Sequence, residues 1–260
     1  MLALQCRYEW AVVALGCRPV SIAAVTDQYA LSQKQAHALL LQRTGYQPRW
    51  VAVAEKLGFA GWYDSKVAAR CRPRQLESLA VLYRTESEQE ADSLIPYFPE
   101  GTTRLMDIGC GLAAADLAIG LRLPDVSFSL VDQDRFEDRP HYGFRAEGSA
   151  YNSLAETLVF LSQNGLAAER VETTDMLSQN FPAGKPMDVV ISLLSWGFHY
   201  PVQTYINEVF DVLRPGGVVI LDVYPGTDGM DVLSRRFGAN ALTEIWSSHD
   251  GTPRALAVKR

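Results

Sequence analysis

The sequence predicts an α/β protein built on a doubly wound, seven-stranded, mostly parallel sheet with an antiparallel C-terminal hairpin and an N-terminal helical extension. Three observations indicate this fold. From residue 103 onward, apolar runs of strand length alternate with helical stretches, a glycine-rich turn follows the first run, and two short apolar runs end the chain. Alternating strands and helices favour a parallel sheet with crossover helices, whereas two closely spaced strands favour a hairpin.

Residues 1–100 show helical patterns and no alternation of period two. Ser32 is placed to cap a helix over 32–42, and Pro48 suits the first turn of a helix that ends before Gly58. Two further helices are predicted over 73–84 and 87–97. We therefore expect residues 1–100 to form a helical extension that covers the pocket of a second domain, residues 101–260.

Residues 101–260 alternate between strand and helix patterns. The predicted strands are 104–108, 126–131, 169–173, 187–194 and 218–223, followed by hairpin strands over 241–247 and 254–258. The predicted helices are 112–123, 149–164, 201–213 and 229–237. A turn over 214–217 is predicted between the third of these helices and the fifth strand. The first five strands are expected to be parallel.

Composition and charge exclude several classes of protein. The chain has 260 residues, of which 48% are hydrophobic and 21% charged, as in ordinary globular proteins. A formal net charge of −6 provides no overall basic field, so nucleic acid is not the expected partner. No apolar window is long enough to span a membrane, and Arg7 and Glu9 interrupt any signal-peptide core. We expect no membrane association.

The cysteines indicate a reducing compartment. Four cysteines are widely spaced and form no C-x-x-C pair, so we expect free thiols and a cytoplasmic protein. They are Cys6, Cys17, Cys71 and Cys110.

The first strand of the predicted sheet ends in a glycine-rich turn, LMDIGCGLA, which contains Gly109 and Gly111. Glycines allow close approach of the backbone to a ligand, and the next helix directs free N–H groups at it. Asp107 stands two residues before the first glycine, where a carboxylate favours a positively charged ligand over a pyrophosphate. S-adenosylmethionine carries an ammonium and a sulfonium, so the turn favours this cofactor over a dinucleotide.

Two further acids follow the second and third strands. Asp132 lies about twenty residues beyond the turn, where a carboxylate can accept ribose hydroxyls. This requirement is shared with NAD enzymes, so it supports a nucleoside ligand without choosing one. After the third strand, Asp175 offers a carboxylate for an adenine amino group, and Met176 an apolar surface for the ring.

These segments resemble the class I S-adenosylmethionine-dependent methyltransferases from about residue 103 to the end of the chain. The matches are the glycine motif at 107–111, the ribose acid Asp132, the adenine-side acid Asp175, the fourth strand at 188–194 and the turn at 213–217. The closing hairpin also fits, because the seventh strand of that family is antiparallel. Ala113 departs from the pattern where the family often has a third glycine, which leaves slightly less room near the cofactor.

The resemblance implies S-adenosylmethionine as the cofactor and S-adenosylhomocysteine as its product. Tyr83 and Arg84 are expected to bracket the methionine carboxylate, since a guanidinium matches a carboxylate. An exposed arginine at a helix end is the alternative. The expected cofactor-binding residues are Asp107, Gly109, Cys110, Gly111, Asp132, Gln133, Asp175, Met176 and Ser192, together with Tyr83 and Arg84.

The acceptor site is expected around SWGFHYP, residues 195–201, directly after the fourth strand. His199 is a candidate general base because imidazole titrates near pH 6.5. Its alternative role is to hold a backbone group or orient a substrate. Tyr200 is placed to donate a hydrogen bond to a substrate oxygen, or else to pack against the helical extension.

Five further residues are assigned to the substrate pocket. Each has a structural alternative, which is core packing for the aromatic rings and helix capping for the asparagine. They are Trp196, Phe198, Tyr151, Asn152 and Tyr224. The segments 149–154 and 192–201 loosely resemble bacterial methyltransferases of sugars and other small metabolites.

The predicted reaction is metal-independent methyl transfer to an oxygen of a polar small molecule. Residues 192–195 lack the N-P-P-[YFW] sequence of amino-group methyltransferases, and the fourth strand ends without the carboxylate that a metal site needs. The alternatives are N-methylation of a small metabolite and a catalytically inactive partner protein. An NAD(P)-dependent oxidoreductase is a further alternative, since Gly109, Gly111 and Ala114 satisfy a relaxed dinucleotide pattern.

Overall fold

The computed structural model describes residues 28–43, 72–136, 144–146, 152–247 and 251–260. The strands are β1 (Arg104–Ile108), β2 (Ser127–Asp132), β3 (Val171–Asp175), β4 (Met187–Ser192), β5 (Leu213–Asp222), β6 (Leu242–Ser247) and β7 (Pro253–Val258). The α-helices are α1 (Gln33–Gln42), α2 (Pro73–Leu94), α3 (Ala114–Arg122), α4 (Leu154–Gln163), α5 (Ile206–Val212) and α6 (Gly229–Phe237). None of these helices combines the length and apolarity needed to cross a bilayer.

The strands form one seven-stranded sheet in the order β3-β2-β1-β4-β5-β7-β6. Strands β1 to β5 pair in parallel, whereas β7 runs antiparallel to both β5 and β6. The predicted seven-stranded, mostly parallel sheet with an antiparallel hairpin is therefore confirmed. Because the strand order reverses between β1 and β4, a crevice opens at their carboxyl ends, where doubly wound sheets bind ligands.

The helices on the N-terminal side of the sheet differ from the prediction in one boundary. The helices predicted over 73–84 and 87–97 are one helix, α2, followed by a short 3₁₀ turn at Ile95–Tyr97. Ser87 does not break α2 because its hydroxyl donates back to the carbonyl of Tyr83 at 2.8 Å. The helix predicted over 48–57 lies outside the described residues.

The turn predicted over 214–217 lies within β5 as a bulge, where Gly216 has φ +78° and the pairing with β4 passes from Leu213 to Val218. Gly216 and Gly217 both pair with Lys259. The Gly216 N–H donates to the Lys259 carbonyl at 2.7 Å, and the Lys259 N–H donates to the Gly217 carbonyl at 2.9 Å. The helix predicted over 201–213 is shorter than expected. It consists of a 3₁₀ turn at Val202–Thr204 and the α-helix α5.

Helices α1 and α2 share a hydrophobic core with the sheet. Ser32 begins α1 through a capping box with Gln35, as the sequence predicts for the cap. The Tyr29 and Tyr83 rings lie 5.4 Å and 5.9 Å from the ring of Phe160 on α4. The division into residues 1–100 and 101–260 stays a prediction: Leu39, Tyr83 and Leu94 join the core of the sheet, whereas Ala36, Leu40 and Leu41 form a small cluster within the first segment.

A buried ion-pair network attaches α2 to the carboxyl end of β5. Arg254 on β7 donates from Nε and Nη2 to the two carboxylate oxygens of Asp222, at 2.7 Å and 3.0 Å. Its Nη1 donates to Glu90 at 2.9 Å and to Ser93 at 3.0 Å, both on α2. Arg254 is 2% exposed and Asp222 1% exposed. The network fixes the position of α2 against the site end of the sheet.

Substitution of Arg254 tests this attachment. We expect Arg254→Met to lower the free energy of unfolding by about 3–5 kcal/mol, because it leaves the Asp222 carboxylate buried without its partner. The control Lys185→Met removes an exposed ion pair with Glu172 and costs less than about 1 kcal/mol. Urea denaturation measures both changes. A cost for Arg254→Met as small as that of the control contradicts the proposed attachment.

Candidate functional site

A cleft opens at the carboxyl ends of β1, β2 and β4, where the strand order reverses. Its floor is the turn after β1, and its walls come from the end of β2 and the loop after β4. The end of α1 covers it with the side chains of Gln42 and Arg43. The space between these elements is about 120 Å³.

Gly109 brings the turn after β1 against the loop after β4. Its φ is +79°, and a Cβ atom at this position would lie 1.8 Å from the Ser195 hydroxyl oxygen. No side chain fits in that space. The Gly109 N–H donates to the carbonyl of Val131 at 2.7 Å, which fixes the turn to β2.

The Gly111 peptide connects three elements around the cleft. Its N–H donates to a carboxylate oxygen of Asp132 at 2.8 Å. Its carbonyl accepts from the Asn152 side-chain amide at 2.9 Å and from the Thr157 hydroxyl at 2.7 Å. The Gln42 side chain lies directly over its Cα, so that a Cβ atom at Gly111 would lie 2.7 Å from the Gln42 Oε1. The turn is thus held by β2 and α4 and covered by α1.

The Asp132 carboxylate retains acceptor capacity on one oxygen. Oδ2 accepts from the Gly111 N–H and, at 3.0 Å, from Asn152. Oδ1 accepts from the N–H of Gln133 at 2.7 Å, which leaves one of its two lone pairs. Burial raises the pKa of Asp132, whereas the hydrogen bonds from Gly111, Gln133 and Asn152 lower it. As arranged, Asp132 can accept one further hydroxyl on Oδ1.

Two carboxyl groups lie together beneath the cleft. Asp107 at the end of β1 is 5% exposed, and Asp116 in the first turn of α3 is fully buried. Oδ1 of Asp107 and both Asp116 oxygens have no hydrogen-bond partner among the described residues other than each other. Burial raises the pKa of Asp116 to about 7, and burial together with Asp116 raises the pKa of Asp107. The pair therefore shares a proton near neutral pH.

The thiol between the two glycines is unreactive. Cys110 is a free thiol whose Sγ lies 3.9 Å from an Asp132 oxygen. Burial and the neighbouring carboxylates of Asp132 and Asp107 raise its pKa. It stays protonated and serves as a small lining residue.

A second, smaller recess lies between the ends of β2 and β3. Gln133 and Met176 line it, and the Gln133 Oε1 is buried without a partner among the described residues. Asp175 does not line this recess. Its carboxylate accepts from the N–H groups of Leu177 and Asp134 and from the Ser178 hydroxyl, which lower its pKa, so it caps the turn after β3.

The loop after β4 is a compact turn that places His199 and Tyr200 beside the cleft. The N–H groups of Phe198 and His199 donate to the Ser195 carbonyl at 3.0 Å and 2.7 Å, and the Gly197 N–H donates to the Tyr200 carbonyl at 2.9 Å. Both His199 and Tyr200 line the cleft. Burial and the nearby Tyr205 raise the pKa of Tyr200, so its hydroxyl is a neutral hydrogen-bond donor.

Two predicted site residues are structural instead. Trp196 is fully buried, and its indole N–H donates to the Val202 carbonyl at 3.0 Å, so it belongs to the core and not to the substrate pocket. Ser192 is also fully buried. Its hydroxyl donates to the Ile108 carbonyl at 2.7 Å and accepts from the Trp196 N–H at 2.9 Å, so it joins β4 to β1 and contacts no cleft.

Arg84 lies away from the cleft, so its predicted contact with the cofactor stays a prediction. The Arg84 Nε donates to Glu88 one turn along α2 at 2.8 Å. Arg43, at the end of α1, lines the cleft instead and forms an ion pair with Glu86 at 3.7 Å. Tyr83 lines the cleft, and its contact with the methionine carboxylate stays a prediction.

The remaining pocket residues have different positions. Phe198 and Tyr224 pack edge to face at 5.3 Å beside the His199 ring but do not line the cleft, so their substrate role stays a prediction. Asn152 lines the cleft, where its side-chain amide donates to the Gly111 carbonyl. Tyr151 lies outside the described residues. No group of three or more His, Cys, Asp or Glu among the described residues is arranged to hold a metal ion.

The residues that the sequence interpretation missed include Gln42, Arg43 and Asp116, which line the cleft, and Thr157, which bonds to the Gly111 carbonyl. Asp116 carries a detectable signal, since it is a single charge within the apolar stretch LAAADLAIGL. A charge with apolar neighbours on every side of a helix indicates burial with a special role. The other three residues depend on how α1 and α4 pack against the turn.

Comparisons with known proteins return structures only, since no family model and no curated protein matches the sequence. An O-methyltransferase family protein of Burkholderia thailandensis is 12% identical with a TM-score of 0.45, over 69% of this chain and 56% of its own. A T. thermophilus 16S rRNA methyltransferase, solved with AdoMet and guanosine, is 20% identical with a TM-score of 0.44. The match covers 67% of this chain and 43% of that methyltransferase. A methyltransferase of Pyrococcus furiosus is 16% identical with a TM-score of 0.43. The match covers 66% of this chain and 82% of that methyltransferase. The chain thus spans about half the length of the first two.

The strand order assigns the fold. A sheet of order β3-β2-β1-β4-β5-β7-β6 with β7 reversed is the class I methyltransferase fold. The glycine turn after β1 and the acid at the end of β2 occupy the positions that the sequence resemblance implies.

The assignment of Trp196 to the core has a measurable consequence. We expect Trp196→Ala to lower the free energy of unfolding by about 3–5 kcal/mol, because it opens a large cavity and removes the bond to Val202. Phe198→Ala, on the partly exposed neighbouring ring, is expected to cost less than half as much. Equilibrium unfolding in urea distinguishes the two. Equal costs would show that Trp196 is not a core residue.

Proposed function

We propose that this chain binds S-adenosylmethionine in the cleft and transfers its methyl group to a small-molecule acceptor. The observation that carries the proposal is the joining of Gly111 to Asp132 at the carboxyl end of a parallel sheet. This arrangement places a glycine turn, a carboxylate oxygen with remaining acceptor capacity and the buried acids Asp107 and Asp116 around one space.

The charge of the cleft supports a cationic cofactor over a dinucleotide. Three carboxyl groups line it, those of Asp107, Asp116 and Asp132, whereas Arg43 is the one arginine among the described lining residues. Such a lining repels a pyrophosphate and attracts ammonium and sulfonium groups. The unpartnered oxygens of Asp107 and Asp116 fit a ligand that donates hydrogen bonds.

Each part of the cofactor has residues suited to hold it. Asp132 accepts a ribose hydroxyl through Oδ1, and Gln133 and Met176 lie beside the recess suited to the adenine. Arg43 suits the methionine carboxylate, since it replaces Arg84 at the cleft.

We further propose that the acceptor is an oxygen of a polar small molecule and that no metal takes part. When bound, the cofactor supplies an electrophilic methyl group on sulfur. His199 removes the proton of the acceptor hydroxyl, and the neutral Tyr200 donates a hydrogen bond that orients the acceptor. The cover formed by α1 limits the acceptor to a small molecule.

Cofactor binding tests the first part of the proposal. We expect S-adenosylmethionine and S-adenosylhomocysteine to bind, and Asp132→Ala to weaken both at least about tenfold, because a charge-assisted hydrogen bond is lost. Isothermal titration calorimetry measures the affinities. NADH and NADPH are the comparison ligands.

The matched control is Asp125→Ala, an exposed acid beyond the opposite end of β2, which leaves both affinities unchanged. If the unsubstituted chain binds neither S-adenosylmethionine nor S-adenosylhomocysteine, the proposal is wrong. Tight binding of NADH instead would favour the oxidoreductase alternative.

Turnover tests the second part. On an acceptor identified from a panel of hydroxylated and amino compounds, His199→Gln is expected to lower kcat about 10²-fold or more with cofactor affinity unchanged. Tyr200→Phe is expected to have a smaller effect, mainly on KM. Methyl transfer is followed with a radiolabelled methyl group. Unchanged kcat in His199→Gln would refute the role of general base, and turnover of amines alone would favour N-methylation.

A further inference from the structure

The carboxyl pair of Asp107 and Asp116 lies at the closed end of the cleft. Asp107 is on β1 and Asp116 is on α3, so their approach depends on the left-handed conformation of Ala113, with φ +57°, which begins α3. Both acids line the cleft, yet three of their four oxygens have no partner among the described residues except each other. Buried carboxylates in this state are costly unless a proton or a cation joins them.

Among the described residues, Arg43 is the one arginine or lysine that lines the cleft with the pair. The pair is faced by the Cys110 thiol from the turn, Asp132 from β2, Tyr83 from α2, Arg43 from α1, and His199 and Tyr200 from the loop after β4. Asp132 is occupied by Gly111 and Asn152, and Arg43 pairs with Glu86. Cys110 and Tyr200 stay neutral because burial raises the pKa of both.

We propose that Asp116 is a second carboxylate of the cofactor site: with Asp107 it holds one proton in the unliganded chain, which the cofactor's ammonium group replaces on binding. This inference rests on the proposed function and assigns one part of the site. The ammonium group donates hydrogen bonds to the carboxylate oxygens of Asp107 and Asp116 that have no partner among the described residues. The displaced proton passes to solvent. The total charge at the pair stays constant, which avoids two bare carboxylates in a buried place.

The proposal predicts that binding depends on pH. The pKa of Asp116 is raised to about 7 in the unliganded chain, and the bound cation favours the ionised form. Affinity is therefore reduced where the pair holds its proton and rises as pH increases through neutrality, because the pKa of Asp107 is raised as well. The sign follows because the unliganded chain binds more protons than the complex. We expect affinity for S-adenosylhomocysteine to rise about tenfold between pH 6 and pH 8.

The same pair lowers the stability of the folded chain as pH rises, whereas it raises the affinity for the cofactor. A carboxyl whose pKa is raised by folding destabilises the folded chain progressively as pH rises from its unfolded value near 4 to about 7. Asp116→Asn removes one of the two acids and keeps the shape of the side chain. We therefore expect Asp116→Asn to raise the Tm of the unliganded chain at pH 8 and to change it little at pH 5.

The experiment is isothermal titration calorimetry at pH 6.5 in buffers of different ionisation enthalpy, which counts the protons released on binding. With S-adenosylhomocysteine, the unsubstituted chain is expected to release roughly 0.5–1 proton per site. With 5′-methylthioadenosine, which has the nucleoside and thioether but no ammonium group, the expected release is close to zero. This comparison of two ligands needs no variant.

The variants locate the proton. Asp116→Asn is expected to abolish most of the release while it still binds 5′-methylthioadenosine with unchanged affinity. The matched control is Asp231→Asn, an exposed acid in the first turn of α6, and it releases protons as the unsubstituted chain does.

Three outcomes overturn the proposal. They are binding of S-adenosylhomocysteine without proton release, equal release with 5′-methylthioadenosine, and undiminished release from Asp116→Asn. All three leave cofactor binding intact, so they count against the role of Asp116 alone. Absence of binding by either ligand overturns the proposed function together with this inference.

Discussion

The site depends on the peptide group of Gly111, which is held from three sides. Its N–H donates to Asp132 at the end of β2. Its carbonyl accepts from Asn152, just before α4, and from Thr157, on α4. These bonds fix the turn after β1 in a conformation with φ +54° that favours glycine. If they are lost, the cleft has no floor, because the turn lines it together with Asp107 and Asp116.

The fold could be predicted from the sequence because its signals are local. Strand runs, helix starts such as Ser32 and the closing hairpin appear as patterns within a few residues, and each led to an element near the expected place. The errors also have local causes. Ser87 looked like a helix start but bonds back within α2, and the glycines at 216 and 217 looked like a turn but pair with Lys259.

The site could be predicted only in part, because its lining comes from segments distant in sequence. Asp107, Gly109, Gly111 and Asp132 were identifiable since their spacing is set by a strand, a turn and a second strand. Arg43 was not identifiable, because its place at the cleft depends on how α1 packs. The aromatic loop after β4 carried a mixed signal: its composition suggested a pocket wall, yet Trp196 supports the loop from the core while His199 and Tyr200 face the cleft.

Hydrogen exchange followed by mass spectrometry tests the central claim most directly, since it locates a bound cofactor without any substitution. The account predicts that S-adenosylhomocysteine slows exchange in peptides that contain Gly109 to Gly111 and Asp132 to Gln133. Peptides from the opposite ends of the strands, around Asp125 and Lys185, are expected to exchange at unchanged rates. Protection elsewhere, with none at the turn after β1, would contradict the account.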